Sequence, residues 1–569
     1  MAARFMRILQ NSIRRVLWAG IVRSKDDRNR KAGEYMENNR VASHKKKSVI
    51  RPEVVILFLL FSFSGILFAE AGQKPKLTVF IIVDGLSSAQ FVSALPDFND
   101  RGIGKLIHEG AFFENAHYGY AITHTAPGHA TILTGAYPMR HGIVANYWID
   151  RITGERTYCV RDEESPIVDE GKNLKTGVSA GSMLAETIGE RDPDSRAFAI
   201  SLKDRSAILS AGRRGKAFFY DEKHDGFITS TYYLKDYPRW WKAFYTRSYS
   251  SEEKRPLKWM RGIVARVREY FPFRPETMDH KMNAFAEAMI KGESIGRNPH
   301  GGMDYLILSY SALDKVNHVF GPESGTSGNY LKKLNLAIDR FLKFIDNTIG
   351  FDNTLIIMTS DHGFMMSPEF LKKASADTGR IYLDSLSRAL DRDLEKKFGV
   401  KGLVFGYTAP IIYYDHEKIR KAGLDVPDVD AASKESLKSW PGVRDVFFKE
   451  DLSAGSSQSS RLKLMAKRSW NNERAGDVYV VQKRDWLITT SNYPKGTSHG
   501  SPYNYDTHVP LVFFGKGVKP GRYEVFADIV DIAPTVAALN GIGQSSYFDG
   551  KPLEEIYEDD HERKGMYDT

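Results

Sequence analysis

The chain has 569 residues, and its 42% hydrophobic and 27% charged content is ordinary for a globular protein with a sizeable core. Its formal net charge of +9 lies at the N-terminus, because residues 1–51 hold 14 Lys and Arg against 4 Asp and Glu. The remainder is nearly neutral, which argues against a basic surface for nucleic acid. The single cysteine, Cys159, excludes an internal disulfide, a thiolate metal cage and a CxxC redox site, so any metal site must use Asp and His.

An apolar run at 54–68 follows the basic N-terminal segment. It is shorter than the roughly 20 residues of a membrane-spanning helix and has the length of a signal-peptide core. The Ala-Glu-Ala sequence at 69–71 fits a small-x-small cleavage site. We therefore expect residues 1–71 to be a basic segment and signal peptide, with the mature chain beginning near Gly72. The alternative is an uncleaved N-terminal anchor, which would be the protein's contact with a membrane. Both predict a periplasmic or otherwise exported protein.

Four apolar runs further along the chain predict buried strands. They are LTVFIIV at 77–83, YLILSY at 305–310, LIIMT at 355–359 and PLVFF at 510–514. Continuous apolar runs rich in β-branched residues are typical of strands that are buried on both faces of a sheet. Between the second and third runs, five apolar residues recur at helical spacing and Gly350 closes the helix. These five are Leu331, Leu334, Ile338, Phe341 and Ile345.

Alternating strands and helices predict an α/β fold, a doubly wound and mostly parallel sheet sandwiched by helices. Asp or His residues lie next to each predicted strand: Asp84, then Asp314 and His318, then Asp361 and His362, and finally His499 before the fourth strand. Ligands of such sheets bind outside the carboxyl ends of the strands. We therefore expect these six side chains to converge at one edge, where mixed Asp and His ligands suit zinc without cysteine.

Two segments interrupt this pattern and are predicted to be insertions that form a cap on a catalytic domain of residues 72–569. The segment at about 221–300 is dense in aromatic residues, which form either a hydrophobic core or a platform for a ligand. The segment at about 366–475 is mixed and includes a serine-rich stretch at 453–460.

Thr125 lies in the sequence THTAPGH at 123–129, where Pro127 favours the start of a helix. A hydroxyl at a helix N-terminus faces the positive end of the dipole and free main-chain N–H groups. That position suits attack on a phosphate. The alternative is a threonine that simply caps the helix.

Together these segments resemble the alkaline phosphatase superfamily, in the branch shared by nucleotide pyrophosphatase/phosphodiesterases and threonine-nucleophile (PafA-like) bacterial alkaline phosphatases. The resemblance covers 75–545 with its segments in the family's order. It is carried by VDG at 83–85, THTAPGHATILTG at 123–135, HGIVANYW at 141–148, SLKDR at 201–205, SALDKVNH at 311–318, TSDHG at 359–363 and GTSHGSPYNYDTHVPLVFFG at 496–515.

The resemblance implies two zinc ions and a phosphothreonine intermediate on Thr125. One zinc would be held by Asp314, His318 and His499, and the other by Asp84, Asp361 and His362. Such an enzyme hydrolyses small phosphate esters by two in-line displacements.

Three further residues match the family pattern. Asn146 would donate its amide to a phosphate oxygen. Lys203 and Arg205 match the Lys-x-Arg pair of the phosphomonoesterases, where two cations stabilise the greater negative charge of a monoester. The sequence thus predicts an exported metal-dependent phosphomonoesterase.

Three other functions would leave different features in the sequence. A phosphodiesterase or nucleotide pyrophosphatase on the same scaffold would have an apolar or aromatic slot in place of the cationic pair. A sulfatase would need a Cys or Ser in a C/S-x-P-x-R motif, which the TYCVRD sequence around Cys159 does not provide. A non-catalytic binding protein would be expected to have lost a metal ligand, and all six are present.

Overall fold

The computed structural model describes residues 74–168, 177–222, 225–250, 275–453, 460–492 and 495–557. The signal peptide predicted within residues 1–71 and the mature N-terminus expected near Gly72 lie outside these residues, as does most of the serine-rich stretch. Within the described ranges, none of the helices combines the length and the apolar character that crossing a membrane would require.

Strands and helices alternate along most of the described chain. The strands are β1 (Leu77–Val83), β2 (Ala111–His117), β3 (Tyr147–Ile149), β4 (Arg156–Tyr158), β5 (Arg196–Ser201), β6 (Lys216–Asp221), β7 (Gly226–Ile228), β8 (Asp304–Tyr310), β9 (Thr354–Thr359), β10 (Gly379–Tyr382), β11 (Val404–Thr408), β12 (Ile411–Tyr414), β13 (Val443–Phe448), β14 (Val478–Gln482), β15 (Trp486–Thr489), β16 (His508–Gly515) and β17 (Gly521–Asp528).

The helices are α1 (Ser88–Phe98), α2 (Ile103–Glu109), α3 (Thr125–Thr134), α4 (Pro138–His141), α5 (Asp204–Ala211), α6 (Arg239–Ser250), α7 (Pro275–Glu293), α8 (Ala312–Phe320), α9 (Gly325–Thr348), α10 (Pro368–Lys373), α11 (Leu383–Phe398), α12 (His416–Lys421), α13 (Val426–Ser439), α14 (Lys449–Ser453), α15 (Arg461–Arg468), α16 (Asn504–Thr507) and α17 (Ile532–Leu539). Short 3-10 helices lie at Ile188–Glu190, Phe351–Asn353, Ile529–Asp531 and Glu554–Ile556.

The main sheet of the described chain has nine strands in the order β17-β2-β16-β9-β1-β8-β5-β6-β7. The central strands are parallel, since β1 pairs in parallel with β8 and β9, and β5 pairs in parallel with β8 and β6. Strand β16 runs antiparallel to both of its neighbours, β9 and β2. The predicted doubly wound, mostly parallel α/β fold is confirmed.

The main sheet is covered by helices and core residues on both faces. Successive side chains of a strand point to opposite faces, and in β1 Phe80 and Ile82 join one core cluster while Val79 and Ile81 join the other. Residues of α3, α5 and α17 pack in the first cluster, and residues of α1, α7 and α9 pack in the second. The sheet is therefore the middle layer of a three-layer sandwich.

The predicted helix at Leu331–Ile345 forms the second half of α9, which begins earlier, at Gly325. The first turn contains Gly325 and Gly328, which lower helix propensity and carry no apolar signal. It is held by Ser324, whose side chain accepts a hydrogen bond from the main-chain N–H of Ser327.

The two predicted insertions differ in structure. Within 221–300, strand β7 joins the edge of the main sheet, and Trp240, Phe244 and Tyr245 pack around Phe285 of α7. This packing favours the core interpretation of these aromatic residues. Much of the other insertion belongs to a separate antiparallel sheet, β11-β12-β14-β13, which packs with α11 and α13 in its own core cluster. That either insertion acts as a cap stays a prediction.

Asp279 of α7 provides a test of the core that is independent of function. The residue is buried, and its Oδ2 accepts a hydrogen bond from Tyr330 Oη at 2.7 Å. Burial raises the pKa of Asp279 to about 7. Its folded-state pKa thus exceeds the unfolded value, so the stability it contributes is present at low pH and is lost as pH rises through about 7.

We expect Asp279→Asn to reduce the loss of stability between pH 5 and pH 8.5 by roughly 1–4 kcal/mol, because the variant has no carboxyl to ionise. Denaturant unfolding of wild type and variant at both pH values measures this difference, with the exposed Asp352→Asn as control. If the stability of wild type and Asp279→Asn depended on pH in the same way, the raised pKa of Asp279 would be contradicted.

Candidate active site

The strand ends bring the six predicted Asp and His residues to one edge of the main sheet. Asp84 follows β1, Asp314 lies in the first turn of α8 directly after β8, and Asp361 follows β9. These three strands are parallel, so their carboxyl ends share an edge. His499 lies ahead of β16, whose antiparallel direction brings its N-terminal end to the same edge.

The six side chains form two groups of three, each with ligand atoms within 4.8 Å of one another. In the first group, Asp314 Oδ1 lies 3.3 Å from His318 Nε2 and 3.5 Å from His499 Nε2. In the second, His362 Nε2 lies 3.5 Å from both Asp84 Oδ1 and Asp361 Oδ2. The two groups have the same members as the two ligand sets that the family resemblance implies.

Main-chain carbonyl groups orient all three histidines. Each Nδ1 lies close to a carbonyl oxygen: that of Thr497 for His318 at 2.9 Å, of Thr123 for His499 at 2.8 Å and of Gly363 for His362 at 2.9 Å. An Nδ1–H donated to a carbonyl leaves the Nε2 lone pair for a metal. The Nε2 atoms are those that face the carboxylates, so each of them could serve as a metal ligand.

The charge balance of this edge also fits metal ions. Asp84, Asp314 and Asp361 are buried together, and the ammonium group of Lys203 lies 2.6 Å from Asp84 Oδ2 and 2.7 Å from Asp314 Oδ2. One ammonium cannot balance three carboxylates. Among the described residues, Asp84 Oδ1, Asp314 Oδ1 and Asp361 Oδ2 are buried without a hydrogen-bond donor. Buried carboxylate oxygens are costly without a partner, and divalent cations between oxygen and imidazole ligands would satisfy them.

Neighbouring charges separate the pKa values of the carboxyl groups. Burial and then the charge of Asp361 raise the pKa of Asp84 well above its usual range. Burial also opposes ionisation of Asp314, but Lys203 and then His318 outweigh it and hold the pKa of Asp314 well below its usual range. Such divergent pKa values in a secluded cluster are typical of functional sites.

Burial keeps two of the histidines neutral. It lowers the pKa of His362 and lowers that of His499 further, where His362 adds to the effect. Their rings are stacked with centroids 3.4 Å apart, an arrangement that two imidazolium cations would not tolerate. Neutral imidazole is the form that binds a metal.

Thr125 lies beside the second group at the start of α3. Its Oγ1 lies 3.4 Å from His362 Nε2, and Lys203 Nζ donates to it at 3.3 Å. The capping position of the helix is His124, and Thr125 is the first helical residue. The alternative interpretation of Thr125 as a helix cap is therefore wrong, and its hydroxyl lies beside His362 and the ammonium group of Lys203.

Asn146 also lies at the N-terminus of α3. Its Oδ1 accepts a hydrogen bond from the main-chain N–H of Ala126 at 2.9 Å. This bond fixes the side-chain amide and turns its NH2 group away from Ala126, available to a ligand oxygen beside Thr125.

Arg205 occupies the first turn of α5, two residues after Lys203. Its Nη1 lies 3.3 Å from the hydroxyl of Tyr158. Within the part of the chain that the structure describes, Arg205 Nε is buried and has no hydrogen-bond acceptor. A buried guanidinium N–H without an acceptor is expected where an anionic ligand completes the site.

Two residues without a role in the sequence-based prediction support this site. His129 lies one turn after Thr125; its Nδ1 is 2.9 Å from Thr125 O and 3.4 Å from Asp361 Oδ2. Its Nε2 is 2.9 Å from Ser309 Oγ. The four-residue spacing of His129 from Thr125 was a usable signal, since residues i and i+4 share a helix face. Nothing in the sequence links Tyr158 with Arg205.

Comparisons with known proteins agree with this geometry. The model of the type I phosphodiesterase / nucleotide pyrophosphatase family matches residues 78–505. A Myroides odoratus protein named calcium-transporting ATPase is 30% identical over 546 residues, which are 89% of this chain and 98% of that protein. Alkaline phosphatase PafA of Elizabethkingia meningoseptica is 28% identical over 535 residues, covering 87% of this chain and 97% of the relative.

Solved structures of an alkaline phosphatase and of a nucleotide pyrophosphatase / phosphodiesterase are also similar to this chain. The crystal structure of wild-type alkaline phosphatase PafA aligns with a TM-score of 0.77 and 26% identity, covering 86% of this chain and 100% of that chain. Murine ectonucleotide pyrophosphatase / phosphodiesterase 5 aligns with a TM-score of 0.52 at 16% identity over 85% of this chain and 100% of its own, which is a likeness of fold.

Proposed function

Because this chain belongs to the type I phosphodiesterase / nucleotide pyrophosphatase family, we propose that it is a metal-dependent phosphomonoesterase that uses Thr125 as its nucleophile. The chain is a phosphoric ester hydrolase, similar to several enzymes named alkaline phosphatase. The proposal adds the substrate class, the covalent route and the identity of the metal, which we take to be zinc at two sites.

Thr125 is suited to attack phosphorus. Its hydroxyl lies at the positive end of α3, 3.3 Å from the Lys203 ammonium, and both stabilise a developing negative charge on Oγ1. The bond from Oγ1 to phosphorus would form as the hydroxyl proton is lost to solvent and the bond from phosphorus to the ester oxygen breaks, giving phosphothreonine and an alcohol that takes up a proton from solvent. Water would then break the Oγ1–phosphorus bond, releasing phosphate and restoring the hydroxyl.

The metal-binding residues have a defined place in this proposal. Asp314, His318 and His499 would hold one ion, and Asp84, Asp361 and His362 would hold the other. When bound, such ions supply Lewis-acid stabilisation of the attacking and leaving oxygens.

The observation that favours monoesters over diesters is the cationic pair, Lys203 and Arg205. A phosphate monoester dianion carries one more negative charge than a diester, so it gains more from two nearby cations. Arg205 has a buried N–H without an acceptor among the described residues, and Asn146 is held by its Oδ1 at the N-terminus of α3, next to Thr125. Together they would bind the phosphate oxygens that a diester replaces in part with an ester group.

We expect Lys203→Ala and Arg205→Ala each to lower kcat/KM for an aryl phosphate by about 10²–10³-fold, with a smaller loss for a methyl aryl phosphate diester. The monoester-to-diester ratio should therefore shrink in both variants. Arg213→Ala, beyond the opposite end of α5, serves as the control and should leave the ratio unchanged. Equal losses on both substrates would show that the pair is structural and would favour a phosphodiesterase.

The N-terminal sequence supports a location outside the cytoplasm for this activity. We propose that residues 1–71 direct export, so that the enzyme meets small phosphate esters outside the cytoplasm. We propose no nucleic-acid partner, because the chain beyond the N-terminal segment is nearly neutral.

A further inference from the structure

A two-stranded ribbon connects Arg205 with Asn146. Strands β3 and β4 are antiparallel, with Tyr147 directly opposite Tyr158 and their ring centroids 4.9 Å apart. Asn146 immediately precedes β3, and its carbonyl oxygen accepts a hydrogen bond from the main-chain N–H of Cys159 at 3.1 Å. The ribbon therefore fixes Asn146 relative to Tyr158.

The hydroxyl of Tyr158 lies between the side chains of two consecutive residues of α5. It donates to Asp204 Oδ1 and accepts from Arg205 Nη1 at 3.3 Å. Asp204 Oδ1 also accepts from the main-chain N–H of Arg205 at 2.7 Å. The Oδ1 atom of Asp204 thus accepts from both the phenol and the main chain.

This arrangement leaves the guanidinium free for a ligand. A direct fork between Asp204 and Arg205 would use two guanidinium N–H groups and neutralise the cation. With the phenol interposed, only Nη1 is hydrogen-bonded among the described residues, and Nε is buried without an acceptor. The phenol therefore holds one end of the guanidinium while its remaining donors stay available.

We propose that Tyr158 is a positioning residue that holds Arg205 toward the phosphate and thereby helps to set the preference for monoesters. This inference rests on the proposed function. Tyr158 would act on the substrate through Arg205. The ribbon of β3 and β4 also fixes Tyr158 relative to Asn146, another proposed phosphate-binding residue.

Tyr158→Phe tests the inference, because phenylalanine keeps the ring that packs against Tyr147 and removes only the hydroxyl. We expect kcat/KM for an aryl phosphate to fall about 10-fold and that for a methyl aryl phosphate diester to fall by less than about 3-fold. In an Arg205→Ala background the same change should have no further effect on the ratio, since the interaction is already lost. Asp204→Ala, which removes the acceptor of the hydroxyl, should shrink the ratio in the same direction.

Tyr233→Phe is the matched control. Its hydroxyl bonds to the main chain at the other end of α5, with Oη 3.2 Å from Gly212 O. If Tyr158 merely secured the helix, both phenylalanine variants would slow both substrates alike, and the inference would be overturned. A wild-type enzyme without monoester preference would refute the proposed function. A shrinking ratio in Arg205→Ala with an unchanged ratio in Tyr158→Phe and Asp204→Ala would refute only the role of Tyr158.

Discussion

Replacing Thr125 with alanine is expected to slow hydrolysis of an aryl phosphate by at least about 10³-fold, because the variant has no hydroxyl to form the phosphothreonine. The effect should be on kcat and should leave metal content unchanged, since none of the six proposed ligands is altered. Steady-state kinetics together with elemental analysis measures both quantities. Rapid acid quenching of the wild type should yield labelled protein from a phosphorus-labelled substrate, and the variant should yield none.

Two substitutions control for damage to the helix. Thr125→Ser keeps a hydroxyl and should retain much of the activity. Thr134→Ala removes another buried hydroxyl of α3, one that donates to Ala130 O inside the helix at 2.7 Å. It should stay close to wild type in rate. Near-normal activity of Thr125→Ala would exclude the covalent route through this residue.

Removal of metal is expected to abolish activity, because the ions that would stabilise the attacking and leaving oxygens would be absent and the three buried carboxyl groups would face one another. Activity should return on addition of Zn²⁺ and reach a plateau at about two ions per chain. His318→Ala and His499→Ala should each lower the bound zinc to about one ion, since each removes a ligand of the same group.

The exposed His300 provides the control for these two variants, and His300→Ala should bind as much zinc as the wild type. Full activity in protein that elemental analysis shows to be free of metal would contradict the account. Retention of about two ions in both ligand variants would contradict the assignment of these histidines, even if activity fell.

Most residues of the two candidate metal-binding groups could be predicted from the sequence, because they follow strands that are recognisable as apolar runs. Asp84 and Asp361 come directly after such runs, and the carboxyl ends of parallel strands share an edge. The position of His499 was harder to predict, because this residue precedes its strand, β16. It reaches the same edge only because β16 is antiparallel to β9. The likeness of its surrounding segment to a known family supplied the signal that spacing lacked.

The supporting contacts could not be predicted, because they join residues that no periodicity relates. Tyr158 reaches Arg205 across 47 positions of the chain, and His129 reaches Ser309 across 180. Both contacts depend on how the ribbon of β3 and β4 and the helix α3 are placed on the sheet. The first turn of α9 was missed for a local reason, since a serine cap and two glycines carry no apolar pattern.

We infer that Lys203 and Arg205 make this site prefer monoesters, and a single comparison of two substrates tests this inference. It is the ratio of kcat/KM for an aryl phosphate to that for the matching methyl aryl phosphate diester, measured on wild-type protein of known zinc content. We expect a ratio well above one, because Lys203 and Arg205 give the monoester dianion more electrostatic stabilisation than they give the diester. A ratio well below one in fully zinc-loaded enzyme would contradict it and identify a phosphodiesterase.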